Sequence, residues 1–135
     1  MPLPEAHPAF AAHFTDPVYD DPGADLGPFG NDEGWELVTA WGERRDELGP
    51  DSSLATVLGT DDVRNVAGPL EGGDGIEAAM FVVGAAFTLL RLTGRLREAD
   101  RALALEALDL LIAISGPGRE LVVQRDDLVS WHTAA

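Results

Sequence analysis

The sequence predicts an all-α fold: a small bundle of four to five helices preceded by an extended, Pro-rich segment. Three observations carry this reading. Apolar residues recur at helical spacing from Asn31 onward, Gly and Pro interrupt the chain between the periodic stretches, and 135 residues at 45% hydrophobic and 24% charged suit one domain with one modest core. The chain divides into residues 1–28, an acidic Pro-rich segment partly packed on the body, and residues 29–135, the helical domain.

Six of the nine prolines fall before residue 29. Each removes a donor and biases its predecessor away from helix, so this segment is extended or turn-rich, with at most one short helix around Ala9–Phe14. Leu3, Phe10, Phe14, Val18, Tyr19 and Leu26 recur along it, more large apolar groups than a solvated tail uses, and parts of it are expected to lie against the helices. The first long helix begins at Asn31 or Asp32 as N-cap and stops at Gly49-Pro50. Trp35, Val38, Trp41 and Leu48 form its apolar stripe. Asp51-Ser52-Ser53 caps a short helix through Leu54, Val57 and Leu58.

Residues Gly68 to Gly75 read as a loose Gly/Pro-rich passage, with Asp61-Asp62 before it as a cap or turn. Gly75–Thr93 is the strongest helix, with Asp74 and Glu77 at capping-box spacing and Gly94 as its C-terminal stop. It is apolar almost all round from Ala78 to Leu90, which makes it the buried centre. Gly84 in its middle costs about 1 kcal/mol against alanine, a cost that a close helix crossing would explain. Glu98–Ser115 is the next helix. Leu103, Leu108, Leu111 and Ile112 face inward, and Glu98, Ala102, Glu106 and Asp109 form the outer stripe. Arg119–Trp131 is read as a helix, although Leu121-Val122-Val123 also has strand character.

The formal charge is −15, and there is no cysteine. Disulfides, thiolate catalysis and Cys-based metal sites are thereby excluded. The acidic balance argues against direct nucleic-acid binding and against anionic membrane surfaces. All nine basic residues are arginine, which removes lysine chemistry. Lysine depletion of this kind also marks GC-rich or salt-adapted proteomes, so part of the acidity is a habit of composition. No leader-like start is visible, and the longest uncharged run, Ala78–Leu90, is shorter than the ~20 residues of a membrane span. A cytoplasmic protein is expected.

Candidate chemistry is sparse. His7, His13 and His132 lie near the termini; His7 and His13 have no metal-ligand spacing, and all three read as solvent-facing. Asp16, Asp20, Asp21 and Asp25 lack the calcium-loop grammar. Glu71-Gly72-Gly73-Asp74-Gly75 precedes a helix but has no Lys or Ser/Thr after it, and its own carboxylates would repel a phosphate. Arg91, Arg95, Arg97 and Arg101 are the concentrated positive charge, read first as partners of Glu98, Asp100 and Glu106. No catalytic residue, metal ligand or cofactor is assigned.

Gly27-Pro28-Phe29-Gly30-Asn31-Asp32-Glu33-Gly34-Trp35-Glu36-Leu37 resembles the opening of a bacterial family known as domain of unknown function 4259. Phe29, Asn31, Asp32 and Gly34 carry the likeness, with Glu36 and Leu37 standing where that family has aspartate and an aromatic. The later Ala-rich helices and the closing Leu128–Trp131 are similar in pattern. The resemblance implies a small helical protein and no known activity. Read physically, Phe29 is a hydrophobic staple, Asn31 or Asp32 the cap, and Trp35 the first buried anchor.

The function expected is that of a non-enzymatic interaction module whose acidic surface receives a basic partner protein, immunity- or antitoxin-like in its sharper form. Trp35, Trp41, Asp20, Asp21, Glu43 and Glu47 are the candidate contact residues. One alternative is a ligand-binding or enzymatic domain using Glu71, Asp74, Glu77 and Arg91 in an interhelical cleft. The other is a self-associating structural module, a homo-oligomer, with Trp35, Trp41 or Trp131 as anchors.

Overall fold

A computed structural model describes residues 3–21, 23–49, 51–59 and 75–131. Six α-helices follow in order: α1 (Pro8–His13), α2 (Asp32–Glu43), α3 (Leu54–Leu58), α4 (Gly75–Thr93), α5 (Glu98–Ser115) and α6 (Arg119–Ser130), with single 3-10 turns at Pro17–Asp20 and Arg45–Glu47. Among the described residues there is no strand, so the all-α bundle stands, with α2, α4, α5 and α6 as its long members. Leu121-Val122-Val123 is helical. The readings at Asp61-Asp62, at residues 68–74 with the Asp74 cap, and at His132 lie outside the described residues.

α4 is the axis of the bundle. Its buried side chains, including Val82, Ala86, Phe87, Leu89 and Leu90, point to every side, because α2, α3 and α5 all pack on it. The crossing with α2 explains Gly84: a Cβ there would lie 2.9 Å from Gly34 Cα and 3.5 Å from Leu37 Cδ1. Two glycines meeting backbone to backbone let the helices approach more closely than ordinary side chains permit. Gly34 is doubly constrained, since its own Cβ would meet the Pro28 carbonyl oxygen at 1.8 Å. Farther along, Arg45 donates to the Leu92 carbonyl, so α2 and α4 run side by side in the same direction. Arg101 donates to the Leu128 carbonyl and Arg125 pairs with Asp109, which sets α6 antiparallel to α5.

Caps define the ends. Asn31 Oδ1 accepts from the Gly34 amide at 2.8 Å, while its Nδ2 donates to the Asp25 and Gly27 carbonyls. Asparagine serves here where aspartate would supply only the accepting half. Ser53 and Thr56 form a capping box on α3, and Asp100 accepts from the Leu54 amide. Burial pushes the Asp100 carboxyl up, against that bond. Gly59 and Gly94 end α3 and α4 in the left-handed region, as their positions predict.

The N-terminal segment is more deeply integrated than its prolines suggest. Phe10, Phe14, Val18, Tyr19 and Phe29 are each at most 4% exposed and belong to the same core cluster as the long helices. Phe14 stands edge-on to Phe87 and Tyr19, and stacks on Phe10 at 4.8 Å. At about 2 kcal/mol per buried side chain these five contribute on the order of 10 kcal/mol before the entropy of ordering them, an upper estimate.

Candidate functional site

Three places on the molecule bring polar side chains together. The first lies at the C-terminal end of α4, where the N-terminal segment crosses it. Arg91 is 5% exposed and donates through Nε to the Pro4 carbonyl at 2.7 Å and through Nη1 to the Tyr19 carbonyl at 3.2 Å. Its guanidinium sits over the Phe10 and Phe29 rings and pairs with Asp20 at 3.0 Å. The sequence pairs Arg91 with acids of α5; instead it ties down the chain that precedes α2, while Arg101 does take its local partner, Glu98. Arg95 and Arg97 are exposed. The cleft built from Glu71, Asp74, Glu77 and Arg91 does not assemble around Arg91: Glu77 and Arg91 stand fourteen residues apart on α4, about 21 Å along its axis. Glu71 and Asp74 lie outside the described residues.

The second place joins α1, the turn at Pro17–Asp20 and α6. Tyr19 donates its hydroxyl to Asp127 Oδ2 at 2.7 Å, His13 Nε2 lies 2.8 Å from the Asp127 carbonyl, and Ser130 Oγ lies 3.0 Å from the same Nε2. A serine beside a histidine invites a nucleophile–base reading, and the tautomer decides against it. The Asp127 carbonyl only accepts, so Nε2 carries the proton, and Ser130 donates to that carbonyl at 3.1 Å. The basic lone pair of His13 is then on Nδ1, turned away from the hydroxyl. Burial first, then the Asp127 carboxylate, pushes the Tyr19 phenol well above the ordinary tyrosine range.

Neither described histidine is the solvent-facing group that its position suggests. His7 is half-buried; its Nδ1 caps α1 by accepting from the Ala9 amide at 3.0 Å, and its ring lies against Gly94, where a Cβ would approach to 2.4 Å. His13 is half-buried against Phe14 and Trp131. Among the described residues no group of three or more His, Asp or Glu is arranged to hold a metal ion. A small cleft lined by Leu26, Pro28, Asn31, Met80, Gly84 and Leu111 has room for about one water molecule, and every polar atom of Asn31 there already has a partner.

The third place is the outer face of α2. At 100° per residue, Asp32, Glu36 and Glu43 fall within about 40° of one another and extend along about 16 Å of helix. All three are exposed, and none has an ion-pair partner among the described residues. Trp35 borders this stripe. It is half-buried and is not among the side chains packed on the core cluster; Gly34 and Val38 take the buried positions of α2. The expectation of Trp35 as the first buried anchor is corrected accordingly: a bulky residue at position 34 would block the α2–α4 crossing, so glycine takes the centre of that contact and Trp35 is turned to its edge.

The remaining candidate contact residues are engaged within the chain. Trp41 packs on the core, donates Nε1 to the Val57 carbonyl at 3.0 Å and lies under the Arg44 guanidinium, 4.2 Å from the ring centre. Glu47 forms a two-point pair with Arg44, which holds its carboxyl below the usual range. Asp20 is the partner of Arg91, and Asp21 caps the Gly23 amide while staying exposed. The two groups approach the same end of α4: the Pro4 ring that Arg91 helps to hold fills the space where Gly42, next to Glu43, has no side chain. Sequence reasoning passed over Asp32 and Glu36 as contact residues, although their spacing with Glu43 was available.

Among the described residues no helix is long and apolar enough to cross a membrane. Compared with known protein families, curated proteins and solved structures, the chain matches none.

Proposed function

We propose that the chain is a non-enzymatic protein-interaction module that receives a cationic partner protein on the outer face of α2, with an immunity- or antitoxin-like role as the sharper form of this reading. The observation that supports it is the exposed stripe of Asp32, Glu36 and Glu43 beside a tryptophan that the core does not use. Carboxylates four apart on a helix repel, at a cost of a few tenths of a kcal/mol, so the Asp32–Glu36 pair does nothing for the helix itself. Set in a chain of charge −15, such a stripe accelerates encounter with a basic surface and fixes its orientation. Trp35 supplies the apolar contact at the edge of the stripe, and tryptophan is over-represented among residues that dominate binding energy. Asp21, exposed at the neighbouring turn, extends the negative field.

Retention of partners on the tagged protein from native lysate, in low and high salt, tests this reading. A basic protein bound stoichiometrically at low salt and released at high salt is the expected result. Recovery of the bait alone at both salts contradicts it and favours a ligand-binding or self-associating domain.

A further inference from the structure

We draw no further inference here: the strongest candidate, the apolar end of the bundle where Ile76 near the start of α4 and Ile114 near the end of α5 are exposed, carries nothing because nothing in the structure shows what covers it.

Discussion

The N-terminal segment and the outer face of α2 use polar groups in opposite ways. In the segment, nearly every polar contact is spent inside the chain: Arg91 on the Pro4 and Tyr19 carbonyls, Tyr19 on Asp127, Gln124 on the Leu26 carbonyl, Asp16 on Arg119 and the Val18 amide. A stretch with so little helix cannot satisfy its own backbone, so side chains of α4 and α6 do it. On α2 the helix satisfies its backbone unaided, and its outer carboxylates are left with no internal task. Polar groups that hold the fold and polar groups that remain available are thus separated by the regularity of the backbone beneath them.

The comparison breaks most sharply if the N-terminal segment is removed. A chain starting at Phe29 loses Phe10, Phe14, Val18 and Tyr19 from the core, a loss comparable with the whole net stability of a domain this size. It is expected to show no cooperative thermal transition by circular dichroism; a sharp transition near that of the full chain would mean that the segment is an appendage. Next in size is Gly34→Ala, which places a methyl on the Pro28 carbonyl and is expected to cost about 3 kcal/mol in urea unfolding. Arg91→Met keeps much of the side-chain bulk but leaves two carbonyls without their donor, for a loss of about 2 kcal/mol.

Tyr19→Phe removes one hydrogen bond to Asp127, an effect of about 1 kcal/mol. The phenol also gives a pH signature. Its folded ionisation lies above the unfolded value of about 10, so the stability it lends is complete below that pH and is lost as pH rises beyond it. Tyr19 is the sole tyrosine. Tyrosinate absorbance is therefore expected to appear together with the loss of helical dichroism in an alkaline titration, and ionisation at full helicity would contradict the buried bond.

The helices were legible because their signals are local: Gly94 after Thr93, Ser53 before Leu54, and the apolar run that makes α4 central. Gly84 was legible as a close crossing, but its partner Gly34 was not, since no periodicity names which helix lies opposite. The same limit hid the roles of Arg91, His7 and His13. Each bonds to a backbone group distant in sequence or to its own cap, and such bonds leave no spacing to read. Trp35 was misplaced because hydropathy cannot distinguish the centre of a helix interface from its rim. Asp32 was recognised only as a possible cap and Glu36 only as a residue off the apolar stripe; their contribution to one exposed face emerges when the core side of α2 is known.

The smallest expected effect on stability belongs to the outer face, and it opens the most direct test. Asp32→Asn, Glu36→Gln and Glu43→Gln combined are expected to shift unfolding by no more than about 0.5 kcal/mol per position, because these side chains have no ion pairs to lose among the described residues. The deciding measurement sets this triple variant beside the unaltered protein in low-salt capture from native lysate, with equal folding checked by circular dichroism. The basic protein retained by the unaltered chain should be absent or strongly depleted on the variant. Equal retention on both would place binding elsewhere on the molecule and contradict the assignment of the α2 face.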